Sequence, residues 1–170
     1  MEISEAARLI DFEAGNGIQI WADLGCGAGT FTYALASKLP DDSTIYGVDR
    51  ESQSLRSTYG QVAVEFVQSD FQSGLSSLPI LDGVMMANSL HFIKDKPKFM
   101  NGLSHRLKRK GKLIVVEYET NVGNNWVPYP LRFHDLKELG NQCGFTQVLK
   151  LGEMPSRYQG SMYSALLVMG

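Results

Sequence analysis

Apolar runs alternate with amphipathic stretches along most of the chain, and this alternation predicts strands that alternate with helices. The continuous apolar runs are typical of strands that are buried on both faces of a parallel sheet. The amphipathic stretches repeat apolar residues at helical spacing, as in helices that pack on a sheet. The predicted strands cover 18–24, 44–48, 62–67, 83–87 and 111–119, and the predicted helices cover 3–13, 30–39, 51–59, 94–107 and 132–143.

The last two apolar runs, 145–154 and 162–169, are separated by a short turn region that contains Pro155 and Gly160. A crossover helix does not fit into so few residues, so the two runs should form an antiparallel hairpin. We therefore predict an α/β fold with a doubly wound, Rossmann-like sheet of seven strands, mostly parallel, with an antiparallel last strand. Residues 1–170 are predicted to form a single domain with an N-terminal helix.

The composition limits the classes of function. The formal charge of −2, from 16 basic and 18 acidic residues, argues against broad electrostatic binding of nucleic acid. The acidic start of the sequence lacks the basic and apolar regions of a signal peptide, and no apolar run reaches the length of a membrane span. Cys26 and Cys143 do not make a disulfide framework, so we expect a reduced, cytoplasmic setting. We expect no membrane partner and no metal site.

The candidate chemistry begins where the first predicted strand ends. The sequence Asp23-Leu24-Gly25-Cys26-Gly27-Ala28-Gly29 follows an apolar run and precedes a predicted helix. A strand, a glycine-rich turn and a helix in this order form the nucleotide-binding turn of α/β sheets. Glycines lack a Cβ and let a ligand lie against the backbone, while the free N–H groups of the helix start favour a carboxylate or phosphate. The alternative is a tight turn that binds no ligand.

This turn resembles the first motif of class I S-adenosylmethionine (SAM) dependent methyltransferases, which runs acid-x-Gly-x-Gly-x-Gly. Thr30 stands at the third glycine position of the dinucleotide fingerprint, which disfavours an NAD-dependent oxidoreductase. The predicted terminal hairpin also resembles the end of the class I methyltransferase sheet. The resemblance implies that SAM is the cofactor and that the residues binding it include Asp23, Gly25, Cys26, Gly27 and Gly29.

Acids follow the second and third predicted strands, where the resemblance places the adenosine of the cofactor. Asp49 comes twenty residues after Gly29, and an acid there can accept both ribose hydroxyls. NAD sites share this feature, and the alternative is a solvated turn acid or the N-cap of the next predicted helix. The resemblance further implies that Asp70 accepts the adenine amino group, that the backbone N–H of Phe71 meets the ring, and that Arg50 contacts the cofactor. The alternative for Asp70 and Phe71 is a turn acid beside a core aromatic.

Polar residues also follow the apolar run 83–87, at the end of the strand where ligands of such sheets bind. The stretch resembles the fourth motif of type 11 methyltransferases, which implies that Asn88 lines the methionine part and that His91 lies near the transferred methyl group. His91 is the candidate catalytic residue because a histidine can take a proton near neutral pH. Glu117 and His134 are the next candidates. The alternative for His91 is a packed or capping histidine.

The predicted activity is methyl transfer from SAM to an unidentified acceptor, which we expect to be a small molecule. One alternative is a SAM-binding module that works with a partner chain, and a homo-oligomer is also left open. A protein or nucleic-acid methyltransferase is a further rival. However, Ala87-Asn88-Ser89-Leu90 stands where base-methylating enzymes carry Asn/Asp-Pro-Pro-Tyr/Phe.

Two other stretches could be taken for binding surfaces, and we interpret them differently. The loop over 120–130 holds Trp126 and Tyr129 among asparagines and prolines. It is either a lid that contacts the substrate or a loop anchored by Trp126 in the core. The basic stretch 106–112 enters the following strand at its amino end, so we interpret it as a solvated turn on the side of the sheet away from the site.

Overall fold

A computed structural model describes residues 1–158 and 160–170 of the chain. The helices are α1 (Ile3–Leu9), α2 (Thr30–Ala36), α3 (Lys96–Ser104) and α4 (Phe133–Gln142). The strands are β1 (Ile20–Leu24), β2 (Thr44–Asp49), β3 (Thr58–Tyr59), β4 (Val62–Gln68), β5 (Leu81–Ala87), β6 (Leu107–Tyr118), β7 (Phe145–Pro155) and β8 (Ser161–Met169). Short 3₁₀ turns cover Phe71–Ser73 and Leu90–Phe92. Within the described ranges, no helix combines the length and the apolar content that crossing a membrane requires.

All strands join one sheet in the order β3-β4-β2-β1-β5-β6-β8-β7. The strands β4, β2, β1, β5 and β6 run parallel to one another. The strand β8 runs antiparallel to both β6 and β7, which confirms the predicted hairpin and the reversed strand. The sheet has 8 strands rather than the seven expected, because the two-residue strand β3 pairs antiparallel with β4 at the edge.

The predicted helix over 51–59 is wrong, and this segment is irregular before it enters β3. Its several serines and its threonine have low helix propensity and compete with helical backbone bonds. Tertiary contacts fix another path: the N–H of Arg56 donates to the hydroxyl of Tyr33 at 2.8 Å. The predicted helices 3–13 and 94–107 are also longer than α1 and α3.

The helices cover both faces of the sheet, as expected for a doubly wound fold. Adjacent residues of β1 illustrate this, because side chains alternate along a strand. Trp21 packs in the cluster that holds residues of α1 and α2, and Ala22 packs in the cluster that holds residues of α3 and α4. With both faces covered, the carboxyl ends of the parallel strands are the edge where such sheets bind their ligands.

The basic stretch 106–112 is exposed at Lys108, Arg109 and Lys110, but it belongs to the start of β6 rather than to a turn. It borders a small cavity of about 160 Å³ beside the residues that precede β1. This cavity lies at the amino ends of the strands, on the opposite edge from the ends that carry the predicted site residues, as the sequence predicted.

Candidate functional site

The glycine turn between β1 and α2 combines two packed positions with one open position. Gly25, Gly27 and Gly29 all have positive φ, at 84°, 50° and 93°. A Cβ on Gly25 would lie 2.7 Å from the Cβ of Ser89, and one on Gly29 would lie 2.9 Å from a methyl of Leu55. A Cβ on Gly27 would meet nothing within 4 Å. The outer glycines therefore let the turn pack, and the middle one leaves its backbone open to a ligand.

Asp49 is the last residue of β2, and its carboxylate joins the glycine turn to the strand end. One oxygen accepts the N–H of Gly27 at 2.9 Å, and the other accepts the N–H of Glu51 at 3.0 Å. No helix follows, so the alternative of an N-cap for a helix over 51–59 is wrong. The exposed Arg50 side chain is 3.5 Å from the Glu51 carboxylate.

Asp70 and Phe71 follow β4 and also have structural partners. The Asp70 carboxylate caps the short 3₁₀ turn by accepting the N–H of Gln72 at 2.9 Å. Phe71 is buried and packs edge-on against Phe99, with ring centroids 6.0 Å apart. Asp70 itself stays exposed, so its carboxylate is open to solvent at the strand end.

A cavity of about 300 Å³ opens beside these strand ends. Six of the predicted cofactor residues line it: Gly25, Asp49, Arg50, Asp70, Phe71 and Asn88. Gln72, Ser89 and Phe92 also line it, and the sequence analysis missed them. For Ser89 and Phe92, the available signal was their position just after β5, beside Asn88. Asp23, Cys26, Gly27 and Gly29 are not part of this wall.

Asp23 is buried beneath the glycine turn. One of its carboxylate oxygens accepts the hydroxyl of Thr32 at 2.6 Å, and the other has no hydrogen-bond partner among the described residues. Desolvation by burial raises the pKa of Asp23 to about 7. Burial, with the nearby carboxylates, raises the pKa of the Cys26 thiol to about 12, so this side chain stays a thiol at neutral pH.

Asn88 lies directly after β5 with φ of 55°, a conformation that asparagine tolerates better than most residues. Its N–H donates to the carbonyl of Val116 at 2.8 Å, which holds the strand end in place. Its side-chain carbonyl oxygen is buried and lacks a donor in the described part of the chain. Buried acceptors are almost always satisfied, so this oxygen is suited to a donor on a bound ligand.

His91 is held by a carboxylate on the neighbouring strand. Glu117, near the end of β6, is fully buried; one of its oxygens accepts the backbone N–H of His91 at 3.0 Å, and the other lies 2.8 Å from Nδ1. With Glu117 as a carboxylate, which can only accept hydrogen bonds, Nδ1 donates to it, and in the neutral imidazole Nε2 is then the acceptor. No described residue hydrogen-bonds to Nε2. The backbone and Nδ1 of His91 are packed, as the alternative expects, and the residue is 3% exposed. The catalytic role of His91 stays a prediction.

A second cavity of about 560 Å³ adjoins the first, and Asn88 lines both. Trp126 is 83% exposed, so the alternative that it anchors the loop in the core is wrong. Val127 is buried instead, and the N–H of Tyr129 donates to the carbonyl of His91 at 3.0 Å. The wall of this second cavity consists of Asn88, His91, Tyr118, Thr120, Asn124, Trp126, Val127 and Tyr158.

A comparison with protein families matches residues 20–159 to a methyltransferase domain. The chain belongs to the methyltransferase domain family. The resemblance to class I SAM-dependent methyltransferases is thereby confirmed at the level of family and fold, and the methyl donor of these enzymes is SAM. The comparison with curated proteins finds no match.

Solved structures share the fold of this methyltransferase at low sequence identity. A Burkholderia thailandensis 1,6-didemethyltoxoflavin-N1-methyltransferase, with 1,6-didemethyltoxoflavin and S-adenosylhomocysteine (SAH) bound, is 19% identical with a TM-score of 0.72, over 89% of this chain and 71% of that one. A Methanosarcina mazei SAM-dependent methyltransferase is 18% identical with a TM-score of 0.66, over 92% and 94%. Human N-acetylserotonin methyltransferase, in complex with SAM, is 18% identical with a TM-score of 0.67, over 99% and 51%.

His134, the third candidate base, lines neither the 300 Å³ cavity nor the 560 Å³ cavity. It is exposed on α4, where Nε2 lies 3.3 Å from the Glu138 carboxylate. His134, Asp135 and Glu138 form a group whose possible ligand atoms lie within 4.8 Å of one another. The Asp135 carboxylate is already paired with Arg132 at 2.9 Å.

Proposed function

We propose that this methyltransferase transfers a methyl group from SAM to a small-molecule acceptor, with SAM in the 300 Å³ cavity and the acceptor in the 560 Å³ cavity. The observation that carries the proposal is that the two cavities adjoin at Asn88, with His91 on the acceptor side. Transfer requires donor and acceptor to lie in line, and alignment of two bound reactants can lower the barrier by roughly 7–11 kcal/mol. Adjoining cavities provide that alignment.

The chemistry of the donor set fits SAM. Asp49 and Asp70 follow neighbouring strands and offer carboxylates for ribose hydroxyls and an adenine amino group. At the wall of this cavity, the unpaired oxygen of Asn88 suits the ammonium group of the amino-acid part, which is a donor. The open backbone at Gly27 and the unpaired oxygen of the buried Asp23 lie outside this wall, and we propose that the amino-acid part extends beyond the cavity towards them. Cys26 and Gly29 support the turn, and Arg50 and Phe71 line the cavity. When bound, SAM supplies a methyl group on a positively charged sulfur, and that group is open to displacement.

His91 is the proposed general base. Its Nε2 accepts the proton that the acceptor loses, while Glu117 holds Nδ1–H and stabilises the resulting positive charge. General base catalysis contributes typically 10²–10⁴-fold, so alignment still supplies the larger part of the rate.

Relatives of the same fold support a small-molecule acceptor. One was solved with 1,6-didemethyltoxoflavin, and another is named for N-acetylserotonin.

A second candidate function, a SAM-binding module that works with a partner chain or a second copy, is favoured by one observation. Trp126 and Tyr158 in the acceptor cavity are 83% and 87% exposed, so a partner could cover them. We also propose a reduced, cytoplasmic setting. It is supported by Cys26 and Cys143, which are both free and buried.

Isothermal titration with SAH tests the cofactor assignment. Asp49→Ala should weaken SAH binding about 10–100-fold, because hydrogen bonds to a charged group are worth about 1.5–3 kcal/mol. Asp41→Ala is the matched control, since this exposed aspartate precedes the amino end of the same strand. Equal SAH affinity for the wild type and both variants would show that Asp49 does not bind the cofactor. Native mass spectrometry of the purified protein for bound SAM or SAH provides a second readout.

A further inference from the structure

The acceptor cavity contains no fixed charge. Among the described residues that line it, His91 is the one titratable nitrogen base, and the other polar side chains are neutral amides, hydroxyls and an indole. Glu117 lies behind His91 and is fully buried in its pair with that side chain. Beside His91, which is 3% exposed, a carboxylate, phosphate or ammonium group on the acceptor would be desolvated without a charged partner, which is costly. The wall therefore favours an uncharged acceptor.

Aromatic side chains reach this cavity from three separate elements. Tyr118 comes from the end of β6, Trp126 from the β6–α4 loop (residues 119–132), and Tyr158 from the turn between β7 and β8. Trp126 and Tyr158 are exposed, so packing in the core does not explain them. Large rigid aromatic side chains give much contact area to a flat ring at low cost in conformational entropy. This arrangement favours a flat aromatic acceptor over an aliphatic one.

The free Nε2 of His91 adds a chemical requirement at the Asn88 side of the cavity. The reacting atom of the acceptor must carry a proton that a histidine can remove, such as a phenolic O–H, an enolic O–H or a ring N–H. That oxygen or nitrogen forms its bond to the methyl carbon as the carbon–sulfur bond breaks. Its proton passes to Nε2, and the sulfur leaves as the neutral thioether of SAH.

We infer that the acceptor is an uncharged, flat aromatic molecule with an acidic O–H or N–H, bound between Trp126 and Tyr158 with its reacting atom towards His91. This inference rests on the proposed methyl transfer but is narrower than it. The cavity volume of about 560 Å³ lies within the range of small-molecule sites.

Four probes of similar size test the inference in the presence of saturating SAH. They are 2-naphthol, its anionic analogue 2-naphthoate, its cationic analogue 2-naphthylmethylamine, and its saturated analogue decahydro-2-naphthol. The chain has 2 tryptophans, so an ¹H–¹⁵N spectrum shows the indole N–H of Trp126 beside that of the buried Trp21. We expect 2-naphthol to shift the Trp126 signal and not that of Trp21, and to bind at least tenfold more tightly than the other three probes.

Two substitutions in the β6–α4 loop test where 2-naphthol binds. Trp126→Ala should weaken 2-naphthol binding about tenfold, measured by calorimetry. Val122→Ala should leave it unchanged, because Val122 is an exposed apolar residue of the same loop that does not line the cavity. The inference would be overturned if 2-naphthoate or decahydro-2-naphthol bound as tightly as 2-naphthol. It would also be overturned if Trp126→Ala and Val122→Ala weakened 2-naphthol binding equally.

Titration of SAH alone separates this inference from the proposed function. If SAH binds and the Trp126 signal does not respond to 2-naphthol, the inference on the acceptor fails while the assignment of the SAM site stands. If SAH does not bind, the proposed function fails first. A response of Trp126 with the expected preference in the SAH-bound protein supports the inference.

Discussion

At the scale of single residues, the His91–Glu117 pair fixes the chemical state of the candidate base. Glu117→Gln would replace one acceptor oxygen by an N–H donor in a fully buried position. With the amide donor facing the ring, Nδ1 must become the acceptor and the proton must move to Nε2. We expect ¹⁵N spectra to show the Nδ1–H tautomer in the wild type and the Nε2–H tautomer in Glu117→Gln.

The same substitution should lower the rate of methyl transfer about 10²–10⁴-fold while SAH affinity stays unchanged, because the base is lost and the cofactor cavity is not touched. His134 is the internal control, since its exposed ring pairs with Glu138 and its ¹⁵N signals should not move. An unchanged tautomer of His91 in the variant would contradict the assignment of Glu117 as the positioning residue.

Asp23 makes the stability of the fold depend on pH. Burial raises its pKa from 3.8 to about 7, so the folded state holds a proton that the unfolded state releases between these values. The stabilisation is therefore complete below about pH 4 and is lost as the pH rises towards 7. Asp23→Asn should be more stable than the wild type at pH 8, by up to roughly 4 kcal/mol.

Urea unfolding at several pH values measures this difference, which should shrink towards pH 4. Asp41→Asn, an exposed acid at the other end of the neighbouring strand, provides the control. If the wild type and Asp23→Asn show parallel pH profiles, Asp23 does not titrate between its unfolded and folded values.

At the scale of elements, the loop that carries Trp126 is held at its base by a lysine. Lys96 is buried at the start of α3, and its Nζ donates to the carbonyls of Ile93 at 2.8 Å and Tyr129 at 2.6 Å. Lys96→Met keeps the apolar stem but leaves both carbonyls without this donor. We expect a loss of about 1–3 kcal/mol in stability and faster hydrogen exchange at the Tyr129 amide.

Lys98→Met is the matched control, because Lys98 lies on the same helix and is exposed. Equal exchange at Tyr129 in both variants would show that Lys96 does not hold the loop. A loose loop in Lys96→Met should also weaken 2-naphthol binding while SAH binding is kept, which separates the acceptor cavity from the cofactor cavity.

Strands and helices were predictable from the sequence to different degrees. Buried parallel strands such as β5 are continuous apolar runs, so their positions follow from local sequence. The failure at 51–59 has another origin, because Leu55 fills the space beside Gly29 and Gly47 and the Arg56 amide bonds Tyr33. Such contacts join residues that are distant in sequence, and periodicity does not report them.

At the scale of the whole molecule, the cofactor cavity was more predictable from the sequence than the acceptor cavity. The residues proposed to bind the cofactor follow strand ends, and the order of strands in the chain makes their meeting predictable once the fold is known. The acceptor cavity depends on how the β6–α4 loop and the β7–β8 turn approach each other, and neither has a sequence periodicity. Tyr158 was therefore missed, and the role of Trp126 stayed open until its exposure was known.

Binding of SAH at the proposed site should stabilise the whole fold, because the ligand would contact the ends of several strands at once and the unfolded chain has no such site. At a concentration of 100 times Kd, a ligand adds about 2.7 kcal/mol, which corresponds to about 5–10 °C in Tm for a chain of this size. Thermal unfolding with SAH should show this shift, and Asp49→Ala should lose about half of it or more. NAD at the same concentration should give none, because Thr30 occupies the position of the third fingerprint glycine. A shift with NAD as large as the shift with SAH would mean that the cavity selects adenosine alone, and the methionine contacts proposed for Gly27, Asp23 and Asn88 would then be wrong.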